Sequence, residues 1–93
     1  MNYFEKCKVR IENAKFIDCI CTSTFSLMTK YLIDEELVLR KFTHKDSQDF
    51  YSISFREVPV PISESEMRYL FELSEKKLVE FDNVKNEEIL RDL

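Results

Sequence analysis

Not one of the 93 residues is glycine, and that absence restricts the chain more than any residue it contains. Glycine takes positive φ without strain, so two-residue hairpins and helix C-termini normally rely on it. Tight turns here must fall to Asn or Asp, or give way to looser loops. The same absence removes whole classes of function. Walker A, the dinucleotide fingerprint and the kinase loop all need glycine where backbone approaches phosphate. The serine nucleophile elbow needs it as well.

A sharp structural signal lies at Ile62-Ser63-Glu64-Ser65-Glu66-Met67. Ser63 and Glu66 have the spacing of a capping box, in which each side chain satisfies the other residue's free N–H. Ile62 and Met67 are placed as the hydrophobic staple that sets the entry angle. Glu64 and Glu66 suit the positive end of the helix dipole, and Pro59 and Pro61 end whatever precedes. From Glu64 a helix over 64–81 is predicted, with Met67, Leu70, Phe71, Leu78 and Phe81 along one stripe. Such a stripe covers a sheet far more often than it binds a cofactor. Asp82-Asn83 is expected to break the helix, and Asn86 to cap a short last one over 87–93, with Ile89, Leu90 and Leu93 apolar.

Upstream, Cys7-Lys8-Val9-Arg10-Ile11-Glu12 alternates apolar and charged residues without exception, which predicts a half-buried strand. The competing reading is a helix from Asn2, since Phe4, Cys7 and Ile11 share a helical face. Asn13-Ala14 reads as a turn, with Asn able to take positive φ. Residues 15–23 form the next strand, with Ile17, Cys19 and Cys21 on one face and Phe16 and Ile20 on the other. Residues 25–33 fit both periods: Phe25, Met28 and Leu32 a helix, Leu27, Tyr31 and Ile33 a strand. Residues 36–43 are β-rich, His44 to Asp49 is a polar loop, and 49–58 is a strand with Tyr51, Ile53 and Phe55 against Ser52 and Ser54. That split predicts an antiparallel sheet with one wet face. The expected architecture is one α+β domain over 1–93: four to five antiparallel strands from about residue 6 to 58, a covering helix over 64–81 and a short helix over 87–93.

Three cysteines and one histidine, Cys7, Cys19, Cys21 and His44, make up a legitimate zinc set. Their spacing is against it, since Cys19-Ile20-Cys21 has one intervening residue in a strand, and small buried hydrophobes are the expected role. A cysteine nucleophile with His44 as base is disfavoured too, because Asp18 beside Cys19 would raise the thiol pKa. Asp34-Glu35-Glu36 reads as a wet turn, and no carboxylate pair stands out as general acid and base. No catalytic, cofactor-binding or metal-binding residue is assigned, and no enzyme activity is expected.

The net charge of −4 resides in the C-terminal third. Residues 61–93 hold five basic and nine acidic side chains, whereas 1–60 hold nine of each. Lys6, Lys8 and Arg10 make a modest basic strip on the first strand. It suits protection of an edge against foreign pairing, or contact with nucleic-acid phosphates. Tyr3, Tyr51 or Phe55 would then have to stack on bases. Three cysteines make no disulfide framework, so a reducing cytoplasm is expected. No apolar run approaches the roughly 20 residues of a membrane span, and the N-terminus does not have the pattern of a secretory signal.

Four tyrosines and eight phenylalanines are many for so small a core, so a contact face is expected, with a protein partner. Self-association as a homodimer is the simplest form of it. The expected contact elements are the outer face of the 64–81 helix, with Glu64, Arg68, Glu72, Glu75 and Lys76, and the free edge of the sheet. The functional expectation is a small binding, inhibitory or regulatory subunit. The composition suits an accessory protein of a bacterium or phage, such as an inhibitor of a host protein. The alternative is nucleic-acid binding through Lys6, Lys8 and Arg10 and the sheet aromatics.

Overall fold

The computed structural model describes residues 1–23 and 27–91, without the side chains of residues 84–89. Phe25, Leu93 and the side chains of Asn86 and Ile89 therefore lie outside the described residues. The order is α1 (Tyr3–Glu12), β1 (Ile17–Ser23), β2 (Leu27–Ile33), β3 (Leu37–Thr43), β4 (Phe50–Phe55), β5 (Val58–Pro59) and α2 (Glu64–Arg91). The strands form one antiparallel sheet in sequence order, β1-β2-β3-β4-β5. The α+β class and the antiparallel sheet agree with the periodicity; the fifth strand is β5, split from the expected strand over 49–58 by a turn at Arg56-Glu57, and not the segment before residue 13. Three details of the expected architecture differ.

The first is Cys7–Glu12, which is helical. The Asn2 side chain accepts a hydrogen bond from the Glu5 N–H at 2.8 Å and caps α1. Cys7 and Ile11 are buried with Phe4 packed beside them, whereas Val9, which a strand would have turned inward, is 40% exposed. Burial of the i, i+3, i+7 stripe prevails over a fortuitous alternation of charge. Asn13 closes α1 at φ −98°, so it does not use the left-handed region.

The second detail is the C-terminal helix, which runs unbroken through Asp82 and Asn83 to Arg91. Asp and Asn weaken a helix interior by well under about 1 kcal/mol each, and with no Pro or Gly in the segment, propagation from an established helix is cheaper than a break. The expected separate helix over 87–93 is therefore the end of α2. At its start the capping box forms as predicted: Glu66 N–H donates to Ser63 Oγ at 3.2 Å, and Ser63 N–H donates to Glu66 Oε1 at 2.9 Å. Ile62 and Met67 are half-buried against the core.

The third detail is the turns. Four charged residues, Asp34 (φ 47°), Glu35 (φ 66°), Arg56 (φ 48°) and Glu57 (φ 70°), take the left-handed conformations that glycine would ordinarily supply. Asn fills none of these positions.

Both helices lie on the sheet face that carries Ile17, Tyr31, Ile33, Leu37, Leu39, Tyr51 and Ile53. With Ile11, Leu70 and Phe71 these residues make the core. Phe71 sits between Tyr31 (centroids 4.7 Å) and Tyr51 (5.7 Å). Phe4 meets Tyr69 at 5.6 Å, joining α1 to α2. Ser74, fully buried on α2, donates its hydroxyl to the Leu70 carbonyl at 2.9 Å, so its burial leaves no orphaned group. Residues 27–33, ambiguous by periodicity, are a strand because Tyr31 and Ile33 enter this core.

Candidate interaction surface

Because strand side chains alternate, a sheet with both helices on one face presents its other face uncovered. Cross-strand register builds that face in three rows. Asp18, Leu32, Val38 and Ser54 form the first, Ile20, Lys30, Arg40 and Ser52 the second, and Thr22, Met28, Phe42 and Phe50 the third. Leu32, Val38, Met28 and Phe42 are half-buried by their neighbours alone; Ile20 and Phe50 are 45% and 58% exposed. The Phe42 and Phe50 rings lie 6.1 Å apart. The polar half expected from Ser52 and Ser54 is present, but β2 and β3 contribute an apolar field that reading β4 alone could not reveal.

Lys30 and Arg40 stand in the middle of this field, directly opposite one another. Like charges at facing positions destabilise a sheet pair. The Asp34 N–H donates to the Phe16 carbonyl (3.0 Å) and the Arg56 N–H to the Glu36 carbonyl (3.0 Å), which sets the alternation along the sheet. Lys30 and Arg40 thereby become a non-hydrogen-bonded pair, the type in which side chains stand closest. Among the described residues neither cation has a carboxylate within ion-pair distance. Two cations ringed by apolar side chains can accept an anionic group in a partly desolvated setting, where such a contact is stronger than in water.

Of the residues expected on a contact face of α2, Glu64, Arg68, Glu72, Glu75 and Lys76 are all exposed. Arg68 and Glu72 form an i, i+4 pair at 3.9 Å. Glu64 and Arg68 also border a polar hollow of about 570 Å³ with Ser47, Gln48, Asp49 and Tyr51. The five form a charged helix back without the contiguous apolar surface of the open sheet face.

The basic strip changes form with α1. At helical spacing Lys6 and Arg10 share a face, while Lys8 turns toward α2 and stands 5.8 Å over the Tyr69 ring. Lys6 lies 5.7 Å over Tyr3. Arg10 donates to Glu36 Oε2 at 2.9 Å and stacks 4.5 Å from the Phe55 ring, whose other neighbour is Arg56 at 5.0 Å. Lys6 and Arg10 border an apolar cleft of about 340 Å³ formed with Tyr3, Leu37, Phe55 and Val58. The aromatics proposed for stacking are elsewhere: Tyr51 is buried, Phe55 lies beneath two guanidinium groups, and Tyr3 is on α1. Phe42 and Phe50 are the rings on the open face; their even register with Lys30 and Arg40 was the available signal.

The four residues of the zinc set are dispersed. Cys7 is buried in α1, Cys19 and Cys21 are exposed on β1, and His44 is in the loop after β3. Among the described residues no three His, Cys, Asp or Glu side chains are grouped to hold a metal. The Cys19 thiol is pushed up by partial burial first, then by Cys21 and Glu75, not by Asp18, which faces the other side. Burial also pushes the Cys7 thiol up. Asp34 and Glu36 each have structural partners: Asp34 Oδ1 accepts from the N–H groups of Lys15 (3.2 Å) and Phe16 (3.0 Å), and Glu36 holds Arg10 and Arg56. Among the described residues no helix is long and apolar enough to cross a membrane. No family model, curated protein or solved structure matches this chain.

Proposed function

We propose that this protein is a binding subunit that acts by protein–protein contact through the open face of its sheet, regulating or inhibiting its partner without catalysis. The observation that carries the reading is the facing Lys30–Arg40 pair within the apolar rows of Leu32, Val38, Met28, Phe42 and Phe50. Such a face suits a partner segment that places an acidic side chain between apolar ones: the carboxylate relieves the cation repulsion while the apolar groups leave water. An inhibitor carried by a phage or mobile element against a host protein is one form such a subunit takes, and the cytoplasm is the compartment in which we place it.

The test is affinity capture from the native cell with the wild type and with Arg40→Glu and Phe50→Asp, both checked for folding by circular dichroism. A partner protein retained by wild type and lost by both variants is the expected result. The same partner retained by all three would defeat the reading.

Nucleic-acid binding is the second reading, and the placement of Phe42 and Phe50 in the row next to the two cations on this face favours it, since stacking rings and cations together suit a single strand. The net charge of −4 weighs against it. Nuclease treatment before capture separates the two: loss of the captured material would favour nucleic acid.

A further inference from the structure

The two edges of the sheet are unlike. At the β4 side, the edge is closed by the two-residue β5, by Pro59 and by Val60, whose N–H donates to the Ile53 carbonyl at 3.0 Å. Pro59 and Pro61 then supply no donor to any further strand. At the other side β1 is a regular strand of seven residues, Ile17–Ser23, and among the described residues no strand lies outside it. Its sequence, IDCICTS, has no Lys, no Arg and no Pro, and its one charged residue is Asp18 near the start.

The direction of the free groups follows from the ladder. Phe16, paired with Asp34, turns its carbonyl toward β2. By alternation Asp18, Ile20 and Thr22 also bond to β2, and the N–H and C=O groups of Ile17, Cys19, Cys21 and Ser23 point outward.

We infer that two copies of this chain join through β1, antiparallel about a two-fold axis at Ile20, into a continuous ten-stranded sheet. In that register Ile17 faces the partner's Ser23 and Cys19 faces the partner's Cys21. Every outward group is then used, in about eight hydrogen bonds. Asp18 faces the partner's Thr22, so the edge charge meets no like charge. Ile20 meets its own copy on the open face, burying a side chain that is 45% exposed in the single chain. Because the opposite edge is closed, the pairing ends at two copies and does not propagate into a fibre.

A second copy fits better than a foreign strand for this reason: the edge is self-complementary in charge and length, and one two-fold operation satisfies both chains. The pairing extends the interaction-module reading, since it merges two open faces into one surface with Lys30 and Arg40 of each copy in a single row. The two ideas stand or fall separately.

The first measurement is amide hydrogen exchange by NMR on the wild type, with sedimentation equilibrium for mass. The expected result is a mass of two chains, with the amides of Ile17, Cys19, Cys21 and Ser23 protected along with those of Asp18, Ile20 and Thr22. Cys21→Pro removes an outward N–H and the long Cys21 Sγ–Thr29 Oγ1 contact at 4.0 Å, but no backbone bond to β2, so the sheet of the single chain persists. Dissociation of the dimer should be favoured about tenfold or more by that loss and by the ring. A dimer unchanged by Cys21→Pro would overturn the inference, and so would outward amides that exchange freely at high concentration while the inward ones are protected. The wild-type exchange pattern decides the matter even where the proline variant fails to fold. Should monomeric protein still capture a partner that Arg40→Glu loses, the dimer is wrong and the interaction reading survives.

Discussion

Arg56 holds Glu36 through three hydrogen bonds, one of them from its guanidinium Nε to Glu36 Oε1 at 3.2 Å. Its backbone N–H donates to the Glu36 carbonyl at 3.0 Å, and its guanidinium Nη2 donates to Glu36 Oε1 at 2.8 Å. The other carboxylate oxygen takes Arg10 of α1 at 2.9 Å. One carboxylate thus ties the β4–β5 turn, the start of β3 and the first helix, and both guanidinium groups lie close to the Phe55 ring, at 4.5 and 5.0 Å.

The Arg56 hydrogen bond, then its charge and Arg10, hold the Glu36 carboxyl below its ordinary 4.5. A depressed folded-state pKa stabilises the fold above the unfolded value, and that contribution is lost as pH falls through the folded one. The melting temperature of the wild type should therefore drop more steeply below pH 4.5 than that of Glu36→Gln. Parallel pH profiles would mean the carboxylate is not held.

Glu57 closes the β4–β5 hairpin at φ 70°. A side chain in that region costs about 1 kcal/mol that glycine avoids, so Glu57→Gly should raise stability by about that amount, or about 4–8 °C in melting temperature. Thermal unfolding followed by circular dichroism measures it. A lower melting point would contradict the turn geometry.

Ser63→Ala removes the acceptor for the Glu66 N–H and should destabilise the protein by about 1 kcal/mol. Ser63→Asp restores an acceptor and should recover most of the loss. Urea unfolding of the three proteins compares them directly, and an unchanged midpoint for Ser63→Ala would show that the cap contributes nothing.

Tyr31 is pushed up to about 12, by burial first and then by Cys19 and Glu75. With a raised folded-state value, its contribution to stability is complete below the unfolded value near 10 and is lost as pH rises through about 12. In an ultraviolet titration of tyrosinate, the step near pH 12 should vanish in Tyr31→Phe. Survival of that step in the variant would assign it to another ring.

Local chemistry was enough where it was self-contained. Ser63 and Glu66 lie within one helical turn, and their reciprocal bonds form as their spacing required. The alternation of Tyr51, Ile53 and Phe55 with Ser52 and Ser54 needed only the period of a strand, and the stripe from Met67 to Phe81 only that of a helix. These established an antiparallel sheet beneath a covering helix, and the missing glycines removed phosphate-loop chemistry. The tertiary structure decided whatever depended on which neighbours were present. Cys7–Glu12 carries both periods, and became helical because Phe4, Cys7 and Ile11 could be buried together against the sheet and α2. Residues 27–33 were equally divided until Tyr31 met Phe71. The pairing of Lys30 with Arg40, and the exposed edge at β1, arise from register and strand order. Both depend on how whole strands pair, and no local preference encodes them.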